Sequence, residues 1–223
     1  MRGRVGVLFS GGLDSAILVG HLLRQGRHVQ PLFIRSHLCW QAAEERAVAS
    51  FLAALASPRL AELVVLEMPL GDLYAGHWSV TGRQVPDETS ADEAVYLPGR
   101  NALLIVKAAV WCRLRGVEEL ALGVLGANPF ADATDAFFSD LEAALNAGPG
   151  VCLRITRPFA ALSKREVMRL GRGLPLERTF SCLAPVDGLH CGRCNKCGER
   201  MAAFRSAATA DPTRYADPAA VAR

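Results

Sequence analysis

Apolar and polar residues follow one another along this chain in a regular order of short apolar runs and longer amphipathic stretches. The runs have the length of buried strands, and the stretches carry apolar residues at helical spacing. The predicted strands are residues 5–9, 29–34, 63–66, 120–125 and 151–156. The predicted helices are residues 16–23, 41–56, 102–114 and 137–145, with a fifth that begins at Ser163 in the Ser-x-x-Glu form of a capping box.

This repeated order is typical of an α/β fold in which helices cover both faces of a parallel sheet. We predict a doubly wound, five-stranded, mainly parallel sheet with its ligand site at the carboxyl ends of the strands. Residues 1–180 would form this domain, and residues 181–223 would add a small metal-binding loop, a C-terminal helix and a tail packed on it. Segment 69–94 breaks the pattern with glycines and scattered charges. It is either an active-site loop or a surface excursion.

The junction of the first strand and the first helix has an unusual sequence. Residues 10–15 are Ser-Gly-Gly-Leu-Asp-Ser, and the two glycines let the backbone turn tightly and approach an anion. The N–H groups at the start of the helix would point at that anion. The loop lacks the Gly-Lys-Ser/Thr of the Walker loop and the third glycine of the dinucleotide fingerprint. We therefore predict an ATP site of another kind, a plain glycine-rich turn being the alternative.

Cysteines are concentrated near the C-terminus, where four of the seven lie. The four are Cys182, Cys191, Cys194 and Cys197. Two overlapping Cys-x-x-Cys steps and four soft ligands favour tetrahedral zinc in a closed, structural site; an iron–sulfur cluster, or a disulfide formed on oxidation, is the alternative. His190 could replace one ligand, although a surface histidine is the simpler interpretation. Of the other thiols, Cys112 and Cys152 are expected to be buried and inert.

Composition narrows the class of protein. The chain has 223 residues, 51% of them hydrophobic, which is enough for a large core and argues against a disordered chain. The formal charge of +3 is spread over 25 basic and 22 acidic residues, so no direct nucleic-acid partner is expected. The sequence contains no secretory signal and no apolar run of membrane-spanning length. Together with the odd number of cysteines, these features predict a cytoplasmic protein without a membrane partner.

Over nearly its whole length the chain resembles the 7-cyano-7-deazaguanine synthase family. Residues 10–15 resemble the pyrophosphate loop of the ATP pyrophosphatases, which split ATP between the α and β phosphates and transfer AMP. Further likeness lies in Tyr-Leu-Pro-Gly-Arg-Asn at 96–101 and Leu-Ser-Lys-Arg-Glu at 162–166. Thr-Phe-Ser-Cys at 179–182 and the cysteine-rich segment 190–197 match the zinc loop of the family.

This resemblance implies an adenine-nucleotide α-hydrolase-like fold and an ATP-dependent carbon–nitrogen ligase of queuosine biosynthesis. Such an enzyme would convert 7-carboxy-7-deazaguanine and ammonia to 7-cyano-7-deazaguanine through an adenylated intermediate. AMP transfer gives the carboxylate a good leaving group, ammonia then yields an amide, and a second activation of the amide oxygen permits dehydration to the nitrile. Mg²⁺ bound with ATP would stabilise the departing pyrophosphate. Zinc would be structural, and a homodimer is expected from the family.

The resemblance also implies roles for individual residues. The implied cofactor-binding residues are Ser10, Gly11, Gly12, Leu13, Asp14, Ser15, Arg100 and Asn101, and the implied catalytic residues are Asp14, Ser15, Lys164 and Arg100. Asp14 would bind Mg²⁺ or cap the helix, and Lys164 would neutralise phosphate charge. Arg100 or Asn101 would position nucleotide or substrate. Without the resemblance, a solvated lysine and an ordinary helix start would explain these residues more simply.

Two segments depart from the family pattern where the acceptor should bind. Residues 37–41, His-Leu-Cys-Trp-Gln, replace Tyr-Gly-Gln-Arg-His, and residues 130–134, Phe-Ala-Asp-Ala-Thr, replace Tyr-Pro-Asp-Cys-Arg. Asp132 retains the carboxylate, which suits the amidine-like edge of a guanine ring, and Phe130 could stack on the base or simply pack in the protein. Loss of the arginine could remove a partner for the carboxylate of the substrate.

Other functions stay open on the sequence alone. The acceptor could be a related deazapurine, or such a base could be joined to a protein terminus. Another AMP-forming amidotransferase or a tRNA-modifying enzyme is a nearby alternative, although no RNA-binding segment is visible. A sulfur-transferring enzyme would need a reactive thiol, for which Cys39 is the candidate. A zinc-stapled nucleotide-binding module without turnover is the non-enzymatic alternative.

Overall fold

The computed structural model describes residues 3–217, and its elements follow the predicted alternation of strands and helices. The strands are β1 (Arg4–Leu8), β2 (His28–Arg35), β3 (Val64–Glu67), β4 (Glu119–Ala121) and β5 (Arg154–Thr156). The helices are α1 (Leu13–Arg24), α2 (Gln41–Leu55), α3 (Trp78–Thr81), α4 (Arg100–Leu114), α5 (Asp135–Asn146), α6 (Lys164–Leu170) and α7 (Asn195–Ser206). Within residues 3–217 no helix is both long enough and apolar enough to cross a bilayer.

The five strands form one parallel sheet in the order β3-β2-β1-β4-β5. From β1 the chain builds β2 and β3 on one side and then crosses over to build β4 and β5 on the other. The strand order therefore reverses between β1 and β4, where Gly6 pairs with Leu120 and Val7 with Ala121. Doubly wound folds bind ligands outside the carboxyl ends of the strands at such a point. The predicted fold class is confirmed.

Strand β2 illustrates how the sheet separates two apolar cores. Val29 and Phe33 belong to a core shared with α1, α6 and α7, whereas Leu32 and Ile34 belong to a second core with α4 and α5. Alternate side chains of a strand lie on opposite faces of its sheet. A strand covered on both faces therefore has the continuous apolar sequence from which β2 was predicted.

A third apolar cluster surrounds the C-terminal cysteines and includes Trp40, Leu97 and Tyr215. Helix α7 begins beside these cysteines and ends in the main core, where Phe204 is buried. Both ends of α7 are thereby fixed to the α/β body. The predicted unit 181–223 extends to residues 218–223, which lie outside the described residues.

Several element boundaries differ from the sequence prediction: α1 begins three residues earlier than predicted and α4 two residues earlier, and three further differences have a local cause. The strand predicted at 120–125 ends at Ala121, because the chain then passes with Gly123 against the backbone of the 10–15 loop. The strand predicted at 151–156 begins only at Arg154. The side chain of Asn146 instead holds the Leu153 backbone through hydrogen bonds of 2.7 and 2.9 Å. Helix α5 begins two residues earlier than predicted, at Asp135, behind a cap formed by the preceding threonine.

Candidate active site

The loop formed by residues 10–15, which we name the phosphate loop after its predicted ligand, lies at the reversal point of the sheet. Gly11 has a φ of +80°, and a Cβ there would lie 2.9 Å from Val48 Cγ2, so both backbone conformation and packing require glycine. The Ser10 and Ser15 hydroxyl oxygens are 3.3 Å apart, and Ser15 donates to the Gly12 carbonyl at 3.2 Å. The first N–H groups of α1 have no acceptor inside the helix. The loop therefore has the form of an anion-binding site.

Lys164 reaches this loop from the opposite side. Its Nζ donates to Oδ1 and Oδ2 of Asp14 at 2.7 and 2.8 Å, and the two residues are 150 positions apart in the sequence. The predicted capping box is present, since Ser163 and Glu166 bond reciprocally at the start of α6 and fix the turn that carries Lys164. An incoming phosphate would compete with Asp14 for the lysine, and a cation would compete with the lysine for Asp14.

A cavity of about 340 Å³ opens beside this ion pair. Its volume is in the range of small-molecule sites. The residues implied for nucleotide binding or catalysis that line it are Ser10, Gly12, Leu13, Asp14, Ser15, Arg100, Asn101 and Lys164. Gly11 lies on the other side of the loop, against α2. The fold thus brings together residues from three distant parts of the sequence.

The two residues expected to bind substrate, Asp132 and Phe130, are not among the residues that line the cavity. Asp132 is 7% exposed, and its Oδ1 accepts a hydrogen bond of 3.0 Å from Asn101 Nδ2. The Phe130 ring lies 5.1 Å from the ring of Tyr96. Among the described residues, Asp132 Oδ2 and Arg100 Nε are buried polar atoms without a hydrogen-bond partner. The structure therefore places Asp132 as the residue that orients Asn101 and leaves hydrogen-bonding capacity beside that residue.

Two other walls of the cavity were not assigned to the site by the sequence analysis, although Trp40 lies in one of the two segments where the acceptor was expected to bind. Trp40 and Glu44 line it at the start of α2, and Lys196, Glu199 and Arg200 line it from α7. The α7 residues have the spacing of a single helix face; a C-terminal helix was predicted from the sequence, but the side of it that faces the cavity was not. Lys196 Nζ donates to Glu199 Oε1 at 2.5 Å. This cavity is therefore more highly charged than the phosphate loop alone suggests.

Burial affects the Glu44 carboxyl group most strongly among the acids of the cavity. Loss of water raises the pKa of Glu44 to about 7, and the charge of Arg100 and a hydrogen bond with Trp40 oppose this shift only in part. A group with this pKa exchanges protons near neutral pH. Such perturbed groups are common at functional sites.

Arg200 connects α7 to the phosphate loop. Its buried guanidinium donates to Thr179 Oγ1 and to the Leu176 carbonyl, each at 2.9 Å. Phe180, which follows Thr179 in the sequence, donates its backbone N–H to the Gly11 carbonyl at 2.8 Å. Two hydrogen bonds, from Arg200 to Thr179 and from Phe180 to Gly11, thereby connect α7 to the phosphate loop.

The four C-terminal cysteines form a compact, buried cluster that could hold a metal ion. Their sulfur atoms all lie within 4.8 Å of one another. The distances between Cys191 and Cys197 and between Cys182 and Cys194 are both 3.9 Å. Four sulfurs placed 2.3 Å from a tetrahedral zinc ion are separated by about 3.8 Å. The cluster therefore fits zinc in both donor type and spacing.

The structure also shows the surroundings of His190 and of the three cysteines outside the cluster. His190 is not at the surface: it is 5% exposed, and its Nε2 accepts a hydrogen bond of 3.1 Å from the Ser181 N–H. Burial lowers the pKa of His190 to about 3 and keeps the ring neutral. Cys112 is buried as expected, whereas Cys152 is exposed because it precedes the start of β5. Cys39 is exposed as well.

The parallel sheet, the Ser-Gly-Gly-Leu-Asp-Ser turn after β1 and the adjoining cavity define a nucleotide-binding protein of the ATP pyrophosphatase class. A solved 4-thiouridine synthetase–RNA complex with bound ATP matches 92% of this chain and 50% of its own chain, with a TM-score of 0.55 and 16% identity. At this identity the match shows the fold alone.

Within that class, the chain belongs to the family described as queuosine biosynthesis protein QueC, whose family model matches residues 4–208. It is 31% identical to the 7-cyano-7-deazaguanine synthase of Solidesulfovibrio magneticus, with 94% of each chain covered. It is 32% identical to the same enzyme of Thiobacillus denitrificans, with 94% of this chain and 97% of the relative covered. The family predicted from the sequence motifs is confirmed.

Proposed function

We propose that this chain is an ATP-dependent ligase that converts 7-carboxy-7-deazaguanine and ammonia to 7-cyano-7-deazaguanine. Two relatives named 7-cyano-7-deazaguanine synthase align with this chain over nearly their whole length. The observation that best supports the nucleotide chemistry is the Asp14–Lys164 ion pair, which lies on a phosphate-binding loop at the edge of a cavity.

The proposed reaction activates the same oxygen-bearing carbon twice. In the first activation the substrate carboxylate attacks the α phosphorus of ATP, pyrophosphate leaves, and ammonia then displaces AMP to give the amide. In the second activation the amide oxygen attacks the α phosphorus of another ATP, and pyrophosphate leaves again. Loss of that oxygen with AMP, together with two N–H protons, leaves the nitrile.

The residues of the cavity supply binding and charge stabilisation for these steps. The N–H groups at the start of α1 and the hydroxyls of Ser10 and Ser15 would hold the phosphates. Lys164 would exchange Asp14 for the departing pyrophosphate, and Asp14 would then be free to bind the Mg²⁺ that accompanies ATP. Arg100 and Asn101, on the opposite wall, would position the acceptor or the adenine nucleotide.

The cysteine cluster would hold zinc in this proposal. Four thiolates complete the tetrahedral shell and leave no open position for water or substrate. Zinc would therefore stabilise the C-terminal loop and α7 instead of taking part in the reaction.

The proposal is tested by incubating the zinc-loaded protein with ATP, Mg²⁺, ammonium and 7-carboxy-7-deazaguanine. Mass spectrometry of the base and the nucleotides should reveal the nitrile, AMP and pyrophosphate. Asp14→Ala should abolish all three products, whereas Lys107→Ala, on the exposed side of α4, should change none of them.

Two other outcomes would contradict the proposal in different ways. ATP turnover with an unchanged base would indicate another acceptor, such as a related deazapurine or a protein terminus. ATP binding without any turnover would favour a nucleotide-binding module.

A further inference from the structure

Glu44 is an acidic residue that lines the cavity. It takes part neither in the proposed binding of phosphate nor in the proposed binding of zinc. It lies in the first turn of α2 and shares the cavity lining with Arg100. Its backbone borders the phosphate loop, since a Cβ added to Gly11 would lie 3.4 Å from the Glu44 carbonyl oxygen. Glu44 therefore borders the phosphate loop with its backbone and lines the cavity in which the adenylated acceptor would form.

Glu44 also differs from the other acids of the cavity in its partners. Asp14 is paired with Lys164 and Glu199 with Lys196. Among the ion pairs of residues 3–217, no partner approaches the Glu44 carboxylate within 4.0 Å, although Arg100 is close enough to affect its charge. Of these three acids, Glu44 is thus the one whose carboxylate is not engaged by a cation.

The ammonia step requires such a group. Ammonium predominates over ammonia at neutral pH, and it cannot attack carbon until it has lost a proton. Lys164 and Arg100 are cations, and Asp14 is engaged by Lys164. A carboxylate that has lost part of its hydration is a stronger base than a solvated one, so burial suits Glu44 to this task.

We propose that Glu44 is the catalytic base that converts ammonium to ammonia beside the adenylated substrate, an inference that rests on the proposed function. The Glu44 carboxylate takes one proton from ammonium. The freed nitrogen lone pair forms the C–N bond to the activated carbon, and the C–O bond to AMP breaks with its electron pair going to AMP. The nitrogen then loses a second proton to water, which leaves the neutral amide.

The pH dependence of the ammonia step depends on Glu44 and on the other charged side chains that line the cavity. The other charged groups that line the cavity are Asp14 from α1, Arg100 from α4, Lys164 from α6, and Lys196, Glu199 and Arg200 from α7. The two acids in this set, Asp14 and Glu199, are paired with Lys164 and Lys196, and the other two groups are the guanidinium groups of Arg100 and Arg200. A loss of activity on acidification near neutral pH that the wild type shows and Glu44→Gln lacks is therefore expected to report Glu44.

Glu44→Gln tests the proposal, with Glu45→Gln as the matched control, because Glu45 is the next residue of α2 and pairs with Arg35. Formation of the adenylate is measured first, as exchange of labelled pyrophosphate into ATP in the presence of 7-carboxy-7-deazaguanine. Glu44→Gln should retain this exchange and lose roughly 10²–10⁴-fold in kcat/KM for ammonia. Its remaining rate should rise with pH as free ammonia rises, without the neutral limb of the wild-type profile.

Hydroxylamine supplies the second readout, because it is largely unprotonated at neutral pH and does not need a base to become nucleophilic. Glu44→Gln should form the hydroxamate at close to the wild-type rate, and Glu44→Asp should recover part of the ammonia-dependent rate. Glu45→Gln should match the wild type in every assay.

Three results would overturn the proposal: unchanged use of ammonia by Glu44→Gln, loss of pyrophosphate exchange, or failure of hydroxylamine to restore turnover. Loss of exchange would assign Glu44 to nucleotide binding or to folding, and a thermal melt separates those two. If the wild type itself makes neither nitrile nor hydroxamate, the proposed function fails, and this is distinct from failure of the Glu44 assignment.

Discussion

Gly123 touches the phosphate loop, so one methyl group at this position tests whether the geometry of the loop determines nucleotide chemistry. A Cβ on Gly123 would lie 2.9 Å from the carbonyl carbon of Asp14, 3.0 Å from the Ser15 nitrogen and 3.1 Å from the Asp14 oxygen. All three are backbone atoms of the first turn of α1 and cannot rotate away as a side chain can. Gly123→Ala must therefore shift the loop or the end of β4 by several tenths of an ångström.

The size of the effect follows from the cost of overpacking. Extra atoms in a well-packed interior cost about 1–3 kcal/mol. For a domain of ~150–250 residues, each kcal/mol lowers Tm by about 2–4 °C. Gly123→Ala should therefore melt about 2–12 °C below the wild type. Because the displaced N–H groups are those proposed to bind phosphate, AMP formation should fall roughly ten- to a hundred-fold even where the variant is fully folded.

Thermal melts and chromatographic measurement of AMP, both on purified protein, check these two effects separately. Gly71→Ala is the control, since nothing lies within 4 Å of a Cβ added there. A Gly123→Ala variant with wild-type Tm would refute the packing argument. A lower Tm with wild-type AMP formation would refute the assignment of the loop to phosphate binding.

Three further predictions concern the metal, the lysine and the buried acid. Cys194→Ser should lower bound zinc, measured by mass spectrometry, and Tm together, because binding of a structural metal is coupled to folding; a normal Tm without metal would contradict that role. Lys164→Ala should lower AMP formation by roughly ten- to a hundred-fold, which corresponds to a charged hydrogen bond of about 1.5–3 kcal/mol, while Lys107→Ala should leave kinetics unchanged. The folded pKa of Glu44 is raised from 4.5 to about 7, so its contribution to stability is complete below pH 4.5 and is lost as pH rises to 7. The free energy of unfolding of Glu44→Gln, measured by denaturant titration, should therefore exceed that of the wild type by up to about 3 kcal/mol at pH 8. At pH 4 the two values should be nearly equal.

The fold and the phosphate loop were predictable because their determinants are local. Strands buried on both faces appear as apolar runs, and the ends of β1 and β2 lie within one residue of the predicted strands. Helix α1 begins three residues before the predicted helix and ends one residue after it. The loop places its glycines, hydroxyls and Asp14 within six consecutive positions, 10–15. A short sequence therefore contains nearly all the chemistry of that part of the site.

The remainder of the site depends on packing between distant segments, which spacing along the chain does not determine. The Asp14–Lys164 contact joins α1 to α6, and Glu44 enters the cavity only because α2 crosses the phosphate loop. Asp132 was expected to contact substrate, but Asn101 stands between it and the cavity. A carboxylate identified by its motif can thus act on a ligand directly or through a neighbour, and the tertiary structure decides which.

Helix α7 connects the cysteine cluster directly to the cavity, so a metal in the cluster would do more than stabilise the C-terminal loop. It begins at the cluster with Cys194 as its N-cap, lines the cavity with Lys196, Glu199 and Arg200 in its first two turns, and carries Phe204 into the main core near its end. Arg200 binds Thr179, and the following residue bonds to the backbone of Gly11 in the phosphate loop. A metal that fixes the first turn of α7 therefore also fixes one side of that loop. It follows that metal loss should weaken ATP binding before the α/β domain unfolds, because the wall and the loop depend on the same helix.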